Sequence, residues 1–406
     1  LTIRRTPEDF RVEERNTRAF HDSLMSERLP SHPFAAFTLE KISLATHDAL
    51  TFIANVLEIP RTALSAAGLK DRHAITKQVI TIDSAAFRGR IPHEAHDQAW
   101  RLTRLGFTNR AADATIIAGN AFSIVVRNLN KRHTDELVRR AETLLDSDSG
   151  DLLFVNYFGD QRFGSARHGE GFVGRALIDG DFEKAVKLAI GTPARKDSGP
   201  LRTLTRALAT HWGDWPTALA ACPRLPERGA VETLARGGDF KEAFTALPKF
   251  TQDICVEAYQ SFLWNAIARE LSHALAETTA QRAFEAEDLF GPLIFPRATA
   301  LTPAFRELGI SMPSPRSEMP ECLSEIVAGI FEDEGISFDM LRIPGVQRPY
   351  FGGGDRPFIA RARGWTISEP FADEFAGGGS AVHACKLSFE LPRGAYATVL
   401  LRALGQ

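Results

Sequence analysis

Cysteine is scarce in this chain of 406 residues: there are four, at positions 222, 255, 322 and 385, and no two form a Cys-x-x-Cys pair. That argues against a zinc knuckle and against a disulfide framework, and a reducing cytoplasm is the simplest compartment for such a chain. Long hydrophobic runs are missing too. No window holds 18 uninterrupted apolar residues, so no transmembrane helix is expected. Near the start, Arg4-Arg5 is followed by Pro7, Glu8 and Asp9, where a secretory signal would carry an apolar stretch. No Gly-x-Ser-x-Gly elbow appears, and no cysteine stands in a nucleophile motif. Gly352-Gly-Gly354 has neither the G-x-G-x-x-G spacing nor the Gly-Lys-Ser/Thr ending of a phosphate loop, and reads as a flexible loop. His93 and His96 stand three residues apart after a proline, with no third ligand in view. The helical zinc pattern needs a spacing of four, so this is read as a polar surface turn and no metal site is expected.

What is present is ordinary in bulk: 44% hydrophobic and 24% charged residues, which fits a soluble globular protein and not a disordered or fibrous one. The length suggests two or three domains. Formal net charge is −3, which by itself argues against non-specific nucleic-acid binding. The distribution is uneven. Residues 51–250 carry 28 Lys/Arg against 23 Asp/Glu, and residues 251–350 carry 7 against 15. Taken alone this reads as two differently solvated surfaces, while leaving room for a positive channel on a near-neutral protein.

The pattern along the chain changes in style twice. Phe34 to Ser43, Ile75 to Ile82, Trp100 to Phe107 and Ala121 to Leu129 read as strands, rich in β-branched and aromatic residues. Ala49, Ile53, Val56 and Leu57 follow helical spacing, with Thr46 as the expected N-cap and Pro60 as the stop. A helix is expected at 134–146, with Leu137, Ala141, Leu144 and Leu145 on one face. Beyond about residue 157 the segments become helical. Gly180-Asp-Phe, Gly213-Asp-Trp and Gly238-Asp-Phe repeat one helix start, in which an aspartate caps the first amides; the unequal spacings argue against a solenoid. The longest helix is expected at 251–272. Mixed structure returns near the end, with a loop at Gly377-Gly-Gly379, a strand at 386–391 and a helix at 398–404. Two α+β ends around a helical middle suggest an insertion domain.

Two stretches carry candidate chemistry. In Ala67-Gly-Leu-Lys-Asp-Arg-His73, three charges follow a glycine turn and precede a strand. Read alone this is a solvated turn. The functional reading is a carboxylate, Asp71, kept ionised between Lys70 and Arg72 in surroundings that favour anionic RNA. In Asn156-Tyr-Phe-Gly-Asp-Gln-Arg-Phe-Gly164, three aromatics and Arg162 either stack and hold a phosphate or pack a domain junction; read alone, the junction fits better.

Five motifs in order resemble the TruD family of tRNA pseudouridine synthases. They are Pro7-Glu-Asp-Phe10; Gly68-Leu-Lys-Asp71 with Thr76 and Gln78; Gly119-Asn120 with Phe122 and Arg127; Asn156-Tyr-Phe-Gly159 with Gln161-Arg-Phe-Gly164; and Leu391-Pro-Arg-Gly-Ala-Tyr-Ala-Thr398. The resemblance spans nearly the whole chain. It implies an α+β protein: a discontinuous pseudouridine-synthase-type catalytic domain, 1–156 and 346–406, with a largely antiparallel mixed sheet, interrupted by a mostly helical insertion domain, 157–345. It implies isomerisation of a tRNA uridine to pseudouridine, at position 13 in bacterial members, in the cytoplasm. The family's nucleophile falls on Asp71, and the residues that hold the target nucleotide fall on Phe10, Asn120 and Tyr396. Tyr396 stands where bacterial relatives often carry phenylalanine, and the triglycine at 352–354 departs from the family's usual return to the catalytic domain.

The reaction has no redox step and gains no atom, so neither a metal nor an organic cofactor is required. Asp71 is suited to attack C6 of the base or C1′ of the ribose, or to act as a base. Flipping the uridine costs a few kcal/mol, which stacking on Phe10 and Tyr396 and hydrogen bonding by Asn120 can offset. Lys70, Arg72, Lys77, Arg127 and Arg162 are candidate phosphate partners. The partner is tRNA, with no membrane and no obligate protein partner evident. The alternative is a tRNA-binding protein or RNA chaperone that uses the same cleft without catalysis; Asp71 within its full motif favours the enzyme.

Overall fold

The computed structural model describes residues 2–166, 168–194, 197, 199–279, 283–376 and 382–405. The Gly377-Gly-Gly379 loop expected from the sequence lies outside the described residues. The chain divides into two compact units, Leu1–Phe154 with Ala360–Gln406, and Val155–Ile359.

The first unit is built on one mixed sheet. Its N-terminal part supplies β1 (Phe10–Asn16), β2 (Phe34–Ile42), β3 (Leu64–Ala66), β4 (Ile75–Asp83), β5 (Glu94–His96), β6 (Trp100–Thr108), β7 (Ile117–Leu129) and β8 (Leu152–Val155). The second unit holds two short antiparallel pairs, β9 (Phe284–Ala286) with β10 (Leu293–Phe295), and β11 (Gly309–Ser311) with β12 (Asp355–Pro357). The chain then returns to the large sheet with β13 (Ile359–Ile367), β14 (Phe371–Ala372) and β15 (His383–Pro392). The order is β5-β6-β2-β4-β1-β7-β15-β13-β8, with β3 beside β4 and β14 beside β15. β15 therefore enters between β7 and β13 and joins them. β1 and β4 run parallel, while β1–β7, β7–β15, β2–β4 and β2–β6 are antiparallel.

Alternation along these strands sorts side chains between two faces. On β1, Phe10, Val12 and Glu14 are buried while Arg11 and Arg15 are exposed. On β15, Leu387, Phe389 and Leu391 are buried while Lys386 and Glu390 are exposed. Helix Thr46–Val56 lays Ala49, Leu50 and Ile53 against Phe37, Leu39, Ile80, Ile82 and Leu102, where its apolar stripe meets the sheet. Its N-cap is Ala45, not Thr46, because the threonine is the first helical residue and its hydroxyl is engaged elsewhere. Helix Lys131–Leu144 is capped by Asn130, whose side chain accepts from His133 N–H, and ends one residue before Leu145. The His93–His96 stretch is not a turn: Glu94–His96 pairs with β6 as an edge strand.

In the second unit, Asp181, Asp214 and Asp239 each cap a helix, accepting from the amides of Lys184, Thr217 and Glu242. Aromatics around the second and third of these helix starts pack together, with Trp212 stacked on Phe240 and edge-on to Trp215. Helix Lys249–Thr278 runs 30 residues, further at both ends than its periodicity indicates, and buries residues around its circumference.

Candidate active site

The turn Gly68-Leu-Lys-Asp71 is fixed by side chains from two neighbouring strands and a helix. Gln78 on β4 donates from Nε2 to the Gly68 carbonyl at 2.9 Å and accepts through Oε1 from the Thr46 hydroxyl at 3.1 Å. The Thr46 oxygen in turn accepts from the Lys70 backbone N–H at 3.0 Å. Lys41 on β2 holds the other end. Its side chain is fully buried, and Nζ donates to the carbonyls of Leu44 at 2.6 Å, Asp71 at 3.0 Å and Lys70 at 3.5 Å. Burial pushes this ammonium down to about 8; the nearby Asp71 charge opposes the shift and Lys70 adds to it. An ammonium has three donors and no acceptor, so three convergent carbonyls satisfy it.

The Asp71 carboxylate is part-exposed and pairs with the Arg4 guanidinium at 3.0 Å. The same guanidinium lies 4.0 Å over the Phe10 ring, a cation–π contact. Phe10 is 1% exposed and meets Phe122 edge-on at 6.2 Å. Its ring is thus a seat for Arg4, which separates it from the solvent side of the turn.

Lys70 is spoken for. Its ammonium pairs with Glu14 at 2.9 Å and donates to Asn120 Oδ1 at 2.7 Å, with the Lys70 and Glu14 side chains 8% and 0% exposed. This buried pair removes Lys70 from the phosphate partners expected from the sequence. It also orients Asn120, since only the amide oxygen can accept from an ammonium; Nδ2 then points elsewhere and has no hydrogen-bond acceptor among the described residues. Glu14 further accepts from the Val79 N–H at 3.2 Å, in the gap where β1 and β4 part.

Gly119 lets β15 approach the strand that carries Asn120. Any side chain at 119 would collide with the Leu391 carbonyl oxygen, so glycine is required by the close approach. The turn after β15 is tied to the same corner by Arg393 N–H donating to the Ala118 carbonyl at 3.3 Å. Tyr396 follows it, part-buried, as the N-cap residue of helix Ala397–Ala403.

The remaining expected residues scatter. Arg127 is a buried clamp. It donates to Asp9 at 2.7–3.0 Å and to Asp373 at 3.0 Å, and these carboxylates raise its pKa further. It holds the Pro7–Asp9 turn that leads into Phe10, and is no phosphate contact. Lys77 lies on the opposite face of the sheet beside Glu13 and Glu40, and Arg72 is exposed. Arg162 belongs to the second unit, where it pairs with Glu257 at 2.6 Å and donates to Ser261 at 3.1 Å. There the Asn156-Tyr-Phe segment is core. The Tyr157 hydroxyl donates to the Ile294 carbonyl at 3.0 Å, Phe158 packs edge-on against Trp264, and Arg356 donates to Asn156 at 2.8 Å. Sequence reasoning missed Arg4, Glu14 and Lys41. For Glu14 a signal was available, a charge that continues the inward-facing alternation of Phe10 and Val12. Among the described residues no cluster of three metal-ligating side chains forms.

A family model described as tRNA pseudouridine synthase D (TruD) matches residues 1–290 and 298–404. The chain is 30% identical over 412 residues to "tRNA pseudouridine synthase D" of Aquifex aeolicus (strain VF5), an alignment covering 100% of this chain and 98% of that protein. It is 30% identical over 379 residues to "Probable tRNA pseudouridine synthase D" of Methanopyrus kandleri, covering 92% and 85%. Its fold is similar to a Methanosarcina mazei crystal structure named "Putative tRNA pseudouridine synthase D (TruD)", with TM-score 0.66, 23% identity, and coverage of 99% of this chain and 92% of that one.

Proposed function

The chain belongs to the TruD family of tRNA pseudouridine synthases, and on that premise we propose that Asp71 is the carboxylate that carries its reaction. The protein is an isomerase that converts a uridine of tRNA to pseudouridine. In that conversion the N1–C1′ bond breaks, the uracil turns, C5 bonds to C1′, and the proton lost from C5 is balanced by one gained at N1. No other atom is exchanged.

The observation that carries the proposal is the fixation of Asp71. Its backbone carbonyl is held by Lys41, its turn by Thr46 and Gln78, and its carboxylate by Arg4, while the side chain keeps 27% exposure toward a reactant. A carboxylate held this way is oriented before substrate arrives, which supports attack on C1′ or C6 or proton transfer at the sugar. Asn120 donates through Nδ2 to a carbonyl of the flipped uracil. Tyr396 supplies a stacking face, and Phe10 acts through Arg4 by seating its guanidinium. The uridine at position 13 is the target implied by the bacterial relatives' pattern. Arg72, exposed beside Asp71, meets the phosphate of the target nucleotide.

Asp71→Asn tests the assignment. The amide keeps the shape and loses the charge, so single-turnover conversion should disappear while the tRNA binding isotherm stays close to that of the parent. Carbodiimide mapping of the product locates the modified uridine. Conversion at the parent rate would remove Asp71 from the chemistry, and binding without conversion by the unmodified protein would favour the chaperone reading.

A further inference from the structure

The face of the sheet turned away from Phe10, Glu14 and Asn120 has an order of its own. Strand pairing puts Glu40 on β2, Lys77 on β4, Glu13 on β1, Ala121 on β7, Glu390 on β15 and Arg363 on β13 in one row across six strands. The next row on the same face runs Arg11, Ser123, Ser388 and Thr366. Lys386 stands two residues before Ser388 and so shares its face. Neighbours in such a row are about 5 Å apart. The small side chains of Ala121, Ser123 and Ser388, with Gly364, therefore leave a trough between long charged ones, a cavity of about 600 Å³.

The carboxylates along this trough are already committed. Glu13 pairs with Arg15 at 3.2 Å and Lys77 at 3.6 Å, Glu40 with Lys77 at 3.8 Å, and Glu390 with Arg15 at 2.8 Å. Arg11, Arg363 and Lys386 are exposed, and none has a carboxylate within ion-pair distance among the described residues. Interspersed charges keep an open sheet face soluble, and the paired residues serve that end. They do not account for three uncompensated cations around a floor of small residues that includes the hydroxyls of Ser123 and Ser388. That combination suits an extended polyanion whose oxygens accept from guanidinium, ammonium and hydroxyl groups.

We propose that this trough seats part of the phosphodiester backbone of the substrate tRNA, away from the target nucleotide. The proposal rests on the reading that the protein acts on tRNA. Continuity with the Asp71 turn supports it. β4 begins four residues after Asp71, and its Ile75, Thr76 and Lys77 line the trough. β1 turns Phe10 toward Arg4 and the next residue, Arg11, into the trough.

The test is a triple variant, Arg11→Gln, Arg363→Gln and Lys386→Gln, in the full chain, with tRNA affinity measured against salt and single-turnover conversion measured at saturating tRNA. None of the three touches Asp71 or its supports. Loss of three phosphate contacts should weaken binding about tenfold or more near physiological salt and make the log–log salt slope shallower by about 2 to 3. The rate at saturation should be unchanged. Glu390→Gln removes a carboxylate from the rim and releases Arg15, and should tighten binding. A triple variant with the parent affinity and salt slope overturns the trough while leaving the enzyme assignment intact. An unmodified protein that forms no pseudouridine in the same assay overturns the tRNA reading itself, and the trough with it.

Discussion

Lys41 donates to the backbone carbonyl of Asp71 at 3.0 Å from thirty residues earlier in the chain. The contact is made by a side chain with no exposure at all, and two more carbonyls, of Leu44 and Lys70, share its protons. A buried charge without such partners would be costly. Here it links the end of β2 to the turn before β4, and sets where the Asp71 carboxylate stands.

Lys41→Met should therefore act on the rate and not on recognition. With the ammonium gone, the turn loses its hold at Asp71, and a shift of about 1 Å is enough to cost roughly a hundredfold in rate. Single-turnover conversion at saturating tRNA should fall by about 10- to 100-fold, with the dissociation constant nearly unchanged. An unaltered rate would show that Lys41 only fills space.

The same lysine predicts a dependence on pH. Burial sets its folded value at about 8, against 10.5 for the free side chain. Between these values the unfolded chain binds more protons, so the contribution of Lys41 to stability rises as pH rises. The neutral amine, however, has one N–H fewer to share among three carbonyls. From pH 7 to 9 the rate at saturation should decline, while the titration of Lys41 gives no fall in melting temperature over that range. A pH–rate profile with parallel thermal melts checks both, and a rate flat to pH 9 counts against the role.

Arg4→Gln removes the cation 3.0 Å from Asp71. That guanidinium fixes where the carboxylate points, so its loss leaves the nucleophile less well positioned before substrate arrives. Single-turnover conversion at saturating tRNA should fall by roughly tenfold or more, with the dissociation constant nearly unchanged. A rate equal to the parent's would contradict this.

Tyr396 should matter through its ring. Tyr396→Phe should be nearly silent, while Tyr396→Ala should weaken productive binding by roughly 1–3 kcal/mol, the usual worth of one base–aromatic stack. Melting temperatures belong beside the kinetics, because loss of a packed ring lowers stability by about 3–5 kcal/mol. A large drop in melting temperature with kcat/KM preserved in the folded protein would make Tyr396 a packing residue.

The strands were legible because their chemistry is local. β2, β4, β6 and β7 announce themselves by β-branched and aromatic residues, and the aspartate caps at 181, 214 and 239 follow from a glycine–aspartate start. The site was legible only as far as its motifs. Asp71 stands out among the charges of its turn, but Lys41 sits in Glu40-Lys41, which reads as the solvated end of a strand. The register that turns Glu40 outward and Lys41 inward is set by pairing with Lys77 and Thr76 on β4, a long-range fact. Thr46 looked like a helix cap because capping is what a threonine there does with local partners alone. Gln78 and the amide of Lys70 arrive from elsewhere and outcompete that role. Arg127 looked like a phosphate ligand because nothing in sequence reveals that Asp9 and Asp373, 118 and 246 residues away, close on it.

The place of β15 bears on how the protein is made. Synthesis delivers β1 to β8 first, but β7 ends at Leu129 and its outer partner begins only at His383, after the whole second unit. At roughly 5–20 residues per second, that gap takes about 13–50 s, during which β7 presents an open edge, the kind of strand that pairs with neighbouring chains. The second unit is continuous in sequence and can form while the first waits. A ribosome-bound chain stalled before His383 would thus hold a finished middle and an incomplete enzyme, and crowded polysomes are where this protein should depend most on chaperones.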